Sequence, residues 1–390
     1  MPPALPFRRR LVLAAASLAV AAAVWLPSLH LFFRPAPAAA QAGRLLGRQL
    51  DLFREKEAHA REAGRMRRTN AEWDFMGRTY LAWALADLAL RDPARREERL
   101  AALDAIIDDT LRLEREQGLY YFLMPYAHRG AWVMDPPRSQ FTDGEIALML
   151  ALRRLVAEKD AYRAPLAERV RAMIDRMEKS PVLSAESYPD ECWSFCNAVA
   201  LAAIKAGDVL DGTDHSAFLK RWIETAKARL VDPATGLLIS SYTLEGRVKD
   251  GPEGSSIWMV SHALRVVDPV FAEDQYRRAK KALAKTILGF GYAREWPAGH
   301  RGPADVDSGP IVPGLDVSAG SSGLAFVAAA SFKDAGYLEE LRTTLDFAAF
   351  PSEKEGKMGY AASNQVGDAV VLYALSLGPI WDALQNGRRP

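Results

Sequence analysis

Beyond about residue 40, apolar positions recur at helical spacing and the two-residue alternation of strands is scarce, so the chain reads as all-α. The pattern predicts twelve helices, over about 40–63, 71–91, 93–117, 142–159, 163–178, 190–208, 214–230, 255–267, 269–288, 318–332, 334–348 and 364–386. Their character alternates. Leu81 to Leu90, Ile146 to Leu152, Ala198 to Ile204, Gly323 to Ala330 and Ala369 to Leu377 are apolar nearly all round, as buried helices are. Between them fall amphipathic, charge-rich segments such as Arg95 to Glu116, Arg163 to Lys179, Phe218 to Arg229 and Phe271 to Lys285. An inner and an outer ring of six helices each is the expected arrangement: a toroid of six helical hairpins, an (α/α)6 barrel. Short junctions such as Asp92-Pro93 and Asp268-Pro269 lead from inner to outer helices, whereas the return links are longer and hold most of the Gly, Pro, Tyr and Trp. The long loops should therefore gather at one end.

The N-terminus follows a different pattern. Arg8, Arg9 and Arg10 precede an almost uncharged run from Leu11 to Phe33, which at 1.5 Å per residue extends roughly 34 Å, enough for a ~30 Å hydrocarbon core. The run exceeds the apolar stretch of a cleavable signal, although Pro27 and the small residues between Pro35 and Ala42 leave cleavage open. Three arginines before the span and only Arg34 just after it put the N-terminus in the cytoplasm. Residues 1–36 are thus expected to anchor the chain in a membrane, bacterial inner membrane by this reading, and residues 37–390 to form the barrel on the extracytoplasmic, periplasmic side.

Charge and cysteine content narrow the partners. Fifty basic against forty-nine acidic residues leave no surplus to neutralise a phosphate backbone, so nucleic acid is not an expected partner. The only cysteines are Cys192 and Cys196, too few for a disulfide framework or a four-ligand zinc site. The six histidines form no close ligand pair, and no P-loop, Rossmann glycine motif or nucleophile elbow occurs. Neither a transition metal nor a cofactor is expected, while Asp305 and Asp307 leave room for calcium. A small molecule is the expected partner, and a homo-oligomer remains open.

In a toroid the N-terminal ends of the inner helices meet at one mouth. The segments entering them are Asn70 to Arg78, Gln140 to Glu145, Tyr188 to Asn197, Gly251 to Trp258, Asp305 to Ser318 and Tyr360 to Asp368, all polar or acidic with aromatics close by. A pocket so built holds several carboxylates in a partly apolar surround, which separates their pKa values into acids and bases. Capping competes with chemistry at each position. Thr142 with Glu145 fits a capping box, and Asp190, Ser255 and Asn364 stand where N-caps belong. Capping accounts less well for Asp74 and Glu72 around Trp73, for Asp190-Glu191, and for Glu295 in the strand-like Gly289 to Pro297. Cys192 and Cys196, four apart, should share a helix face, either as small core residues or with one thiol in the mouth, its pKa lowered by the helix N-terminus.

From Tyr188 to Leu201 (YPDECWSFCNAVAL) the sequence resembles the linalool dehydratase/isomerase family, an (α/α)6 fold acting on monoterpene alcohols. The likeness continues through Gly212-Thr213-Asp214, Trp222, Leu230 to Pro233, Ser241-Tyr242 and Val267 to Phe271, and is fainter in Ala84 to Pro93, Gly144 to Met149 and Ala304 to Gly309. By this resemblance Cys196, followed by Asn197, matches the later of two active-site cysteines, and Tyr242 matches a pocket tyrosine. The earlier cysteine falls on Ser187, unless Cys192 substitutes for it, and the active-site histidine falls on Glu145. A carboxyl raised in pKa by burial can do an imidazole's acid and base work. The resemblance implies a cofactor-independent lyase or isomerase of a hydrophobic alcohol, with Asp74, Glu145, Asp190, Cys196 and Tyr242 as candidate catalytic groups. Trp73, Asp143, Cys192, Trp193, Asn197, Trp258, Glu295 and Asp307 are candidate substrate contacts. Paired carboxylates and aromatic platforms equally suit a carbohydrate-active toroid, and a non-catalytic binding or scaffold domain is a third reading.

Overall fold

The computed structural model describes residues 6–303 and 305–390, without the side chain of Asp305; residues 1–5 of the expected anchor and Ala304 lie outside the described residues. Fifteen α-helices appear among them: α1 (Phe7–Ser28), α2 (Ala38–Arg54), α3 (Lys56–Thr69), α4 (Ala71–Arg91), α5 (Arg96–Gln117), α6 (Gln140–Val156), α7 (Arg163–Met177), α8 (Ser194–Asp211), α9 (Ser216–Arg229), α10 (Gly254–Leu264), α11 (Pro269–Leu283), α12 (Ala319–Ser331), α13 (Ala335–Ala348), α14 (Gln365–Ser376) and α15 (Pro379–Gln385).

The even-numbered helices from α4 to α14 close a ring in which each packs on the next and α14 returns to α4. All seventeen residues of α6 are buried, as are all of α10 except Ser255, which is why these segments carry no polar face. Outside the ring lie α5, α7, α9, α11, α13 and, covering α4 and α14, the broken helix α2–α3. This is the expected (α/α)6 barrel. Its core is one continuous apolar cluster running through all six inner helices. Caps fix several entrances: Asn70 accepts from Glu72 N at 2.7 Å, Ser318 from Ser321 N at 3.0 Å and Asn364 from Gly367 N at 3.0 Å.

Four predicted boundaries change. The first outer helix breaks at Glu55 (φ −90°, ψ 89°). The eighth helix begins at Ser194, four residues late, because Cys192–Trp193 (β1) pairs with Ser241–Tyr242 (β2), which pairs in turn with Val248–Asp250 (β3). The segment after Leu283 folds back as a hairpin, Ala284–Ile287 (β4) against Phe290–Ala293 (β5), through Leu288 and Gly289, both at positive φ. The last inner helix stops at Ser376, since Gly378-Pro379 interrupts it before α15. Two further small sheets complete the loops: Asp305–Val306 (β6), Gly309–Val312 (β7) and Val317–Ser318 (β8), and the hairpin of Pro351–Lys354 (β9) with Lys357–Tyr360 (β10). All these strands lie in the links from outer to inner helices.

The helix α1 and the 3₁₀ turn Leu29–Phe33 after it form one apolar stretch, Phe7–Phe33, with none of its most apolar window buried. It is long and apolar enough to cross a membrane or to serve as a signal sequence.

Candidate active site

The inner helices run the same way round the ring, so their N-terminal turns share one end, and there a cavity of about 910 Å³ opens. Every inner helix contributes: Glu72, Trp73, Met76 and Tyr80 from α4, Phe141 from α6, Phe195 and Cys196 from α8, Ser255 and Ser256 from α10, Leu324 from α12, and Val366 and Val370 from α14. The loops add Tyr126, Tyr188, Glu191, Trp193, Asp250, Glu253 and Asp307. Five carboxylates thus meet aromatic rings and an apolar floor.

Two of these acids have strongly altered proton affinity. Glu72, in the first turn of α4, accepts a short hydrogen bond from the Tyr188 hydroxyl. Burial, opposed by that bond and assisted by Asp307, raises its pKa to about 7. Glu253 immediately precedes α10, three places round the ring from α4, and lines the same cavity as Glu72. Its N–H is held by Ser240 Oγ at 2.9 Å. Burial, with Glu295, Asp250, Asp307 and Glu191 adding like charge, raises its pKa to about 9. One group is therefore a neutral acid near pH 7 while the other is partly ionised, the separation that acid–base chemistry uses. Glu191 is held between Trp193 Nε1 at 3.3 Å, the Tyr126 hydroxyl at 3.4 Å and Lys249 Nζ at 3.6 Å. Tyr126 stacks on Tyr188 with ring centroids 4.6 Å apart.

Beneath the cavity, Glu145 is completely buried and neither carboxyl oxygen has a hydrogen-bond partner. Burial alone pushes its pKa well up. Its field reaches both Tyr80, whose hydroxyl is also unpartnered, and Cys196. The helix starts at Gln140 with Ser139 as its cap position, so Thr142 and Glu145 form no capping box. Cys196 is a neutral thiol, because burial raises its pKa far more than the adjacent Ser187 hydroxyl lowers it. The expected lowering by the helix N-terminus does not prevail.

Several expected site residues point elsewhere. Asp74 is buried against Arg78 Nε at 3.0 Å, with Arg67 at 3.7 Å, and does not line the mouth. Asp143 meets Arg169 at 2.6 Å and Arg138 on the far side of α6, at a separate cavity of about 320 Å³. Asp190 sits in a turn at φ 57°, its N–H donating to Glu186 at 2.7 Å, and caps no helix. Tyr242 is buried behind the wall, with its hydroxyl 2.9 Å from Ser184 Oγ. Cys192 lies in β1, off the helix that carries Cys196, so the two share no helix face, and burial raises its pKa as well. Trp258 donates to Ser321 at 3.0 Å inside the core, and Asn197 ties Ala185 to Trp193 through its side-chain amide. Glu295 joins the α10 and α12 entrances, accepting from Ser255 N at 2.9 Å and Ser318 Oγ at 2.6 Å; Ser255 is a donor there, not a cap. The mouth itself keeps Glu72, Trp73, Glu191, Trp193, Cys196 and Asp307. Glu253, Asp250, Tyr80, Tyr126 and Tyr188 join them without having been singled out, although all but Tyr126 lie in or beside the mouth segments. Among the described residues no cluster of three or more His, Cys, Asp or Glu could hold a metal ion.

A profile of linalool dehydratase/isomerase matches residues 141–366, more than half of the chain. Among solved structures, the GH76 alpha-mannanase of Bacteroides thetaiotaomicron is similar at 11% identity and a TM-score of 0.50, over 77% of this chain and 85% of that one. A family 105 glycoside hydrolase of C. acetobutylicum ATCC 824 aligns at 14% identity and a TM-score of 0.44, over 77% of this chain and 93% of that one. At such identity the mannanase shares the barrel fold.

Proposed function

The chain belongs to the linalool dehydratase/isomerase family, and from that membership we propose that it is a cofactor-independent lyase or isomerase acting on a neutral, hydrophobic alcohol. The observation that carries this reading is that one cavity with an aromatic and apolar floor holds two carboxyls of separated proton affinity, Glu72 with its pKa near 7 and Glu253 near 9. In dehydration, the Glu253 carboxyl gives its proton to the substrate hydroxyl and the C–O bond breaks to release water. A carboxylate, Glu72 or Glu191, takes a proton from the neighbouring carbon, and that C–H electron pair becomes the new double bond. Proton exchange between the acids restores the starting state. The rings of Trp73, Phe141, Trp193 and Phe195 surround the cationic carbon and favour it through their π faces. Cys196 and, beneath it, the neutral Glu145 supply proton donors to the floor. We also propose that α1 remains as an anchor, with the barrel on the extracytoplasmic side, on the strength of Arg8 to Arg10 before the span.

A second reading has its own support. Trp73 and Trp193 beside an acidic rim are the contacts a sugar ring uses, so a carbohydrate-active enzyme is the alternative. The test is turnover by the full-length chain in detergent, against tertiary and primary terpene alcohols and a panel of glycosides. Water loss or isomerisation of an alcohol supports the proposal; hydrolysis of a glycoside with no alcohol turnover overturns it in favour of the alternative.

A further inference from the structure

Where the apolar stretch ends, it meets the barrel. The ring of Phe33 lies 5.0 Å from Phe347 at the end of α13 and 6.4 Å from Phe290 in β5. His30 packs edge-on to Phe290, and a side chain at Gly289 would come within 2.6 Å of the His30 ring, so the β4–β5 turn is shaped to receive the emerging chain. The tip of that hairpin presents Ile287 and Leu288 to the outside beside exposed Leu31 and Phe32. The β8 strand lies against β5, and the β7–β8 hairpin exposes Val312 and Leu315, 49% and 57% accessible. Lys281 and Lys285 are exposed alongside, and Arg34 follows the span. An apolar tip with flanking cations, touching the exit of a bilayer-length helix, has the composition of an interfacial membrane contact.

We propose that these two hairpins seat in the interfacial layer of the same bilayer that holds α1, so that the barrel lies against the membrane instead of hanging from a tether. The occupant is the lipid surface, because the patch is continuous with the end of the bilayer-length apolar stretch through His30 and Phe33 and is flanked by exposed lysines. The loop that carries both hairpins also lines the mouth through Val306, Asp307 and Gly309. Its seating brings the cavity entrance to the lipid phase, the phase into which a hydrophobic alcohol partitions. The seating rests on the anchoring of α1 and is independent of the reaction assigned to the pocket.

The test uses the full-length chain reconstituted in vesicles with brominated acyl chains. Because Cys192 and Cys196 are both buried, an introduced surface thiol takes an environment-sensitive fluorophore selectively. Leu288→Cys and Leu315→Cys carry the label at the two tips, and Arg171→Cys, exposed on α7 across the ring from α13, is the control. Quenching by brominated lipid several-fold stronger at both tips than at position 171 is the expected result. Equal quenching at all three sites overturns the seating. So does release of the chain by alkaline carbonate, which would remove the bilayer from beside the patch, and this second outcome separates failure of the anchor from failure of the contact.

Discussion

Replacing Glu253 by Gln should make the protein more stable and less active at once, and both changes follow from the same proton. A glutamine side chain has nearly the shape of the protonated carboxyl and cannot ionise. In the native chain the carboxyl pKa stands at about 9, against 4.5 for the free side chain. The folded state therefore binds the proton more tightly than the unfolded state, and stability falls as pH rises through the interval between the two values. One pKa unit corresponds to about 1.4 kcal/mol, so this group alone removes up to about 1.4 kcal/mol of stability per pH unit between roughly pH 5 and pH 9. The contribution is intact below the unfolded value and gone above the folded one. In Glu253→Gln that slope disappears. Chemical denaturation at pH 5, 7 and 9 should show variant and parent close together at pH 5 and the variant several kcal/mol ahead at pH 9. If Glu253 donates the proton to the leaving hydroxyl, turnover should drop by a factor on the order of 10² to 10⁴ with the fold intact. Parallel stability profiles would refute the claim that the mouth holds this carboxyl neutral. Undiminished turnover would refute its role as the acid, whatever the stability data say.

Glu145→Leu should raise stability by about 1–3 kcal/mol, the usual cost of an unsatisfied buried polar group, and should lower turnover; a thermal melt shifted downward would mean that the carboxyl has a partner after all. Asp74→Asn should cost about 1–3 kcal/mol in denaturant titration by weakening the buried charge-assisted bond to Arg78, which keeps Asp109 at 2.6 Å as its second partner, with KM unchanged, and a selective change in KM would return Asp74 to the site. Gly144→Ala should destabilise by about 1–3 kcal/mol, because its Cβ would stand 3.2 Å from Ala200 N where α6 and α8 approach closely; an unchanged melting temperature would show that the two helices separate easily.

The ring was legible because burial on every side leaves a distinctive record. A helix such as α6, with all seventeen residues buried, cannot carry a polar stripe, and the alternation of such segments with amphipathic ones specifies two concentric layers. Helix ends were legible only where local chemistry marks them. Gly378-Pro379 is such a mark, yet the apolar residues on either side carried the expected helix through to 386, whereas the structure ends it at Ser376. The break at Glu55 has no glycine or proline behind it, so tertiary packing alone decides it. The start of α8 depends on strand pairing between Trp193 and Ser241, nearly fifty residues apart. That pairing is what takes Cys192 off the helix that carries Cys196.

The site was legible as six segments but not as residues, since spacing reports which side chains share a helix and says little about what lies opposite. Asp74 and Arg78 show the limit: their spacing of four is already an ion-pair signal, and the pair wins over chemistry. Asp143 is lost to the mouth for a related reason, through arginines on another helix that spacing does not reveal. Glu253 gains its role first from burial and then from the like charge of Glu295, Asp250, Asp307 and Glu191, an environment that the closed ring assembles. Glu145 is the instructive reversal. Its offset from Thr142 fits a cap, yet the helix begins at Gln140, whose N–H donates to Glu186 O at 2.8 Å. That start carries Glu145 past the first turn, where a capping side chain could still reach an open N–H, and onto the buried face. A carboxyl there has no cap to form and no cation to pair with, so folding accepts its desolvation without return. Its position beside Tyr80 and Cys196 gives that cost a chemical use: a proton held neutral in the floor, within the field of the groups that line the cavity.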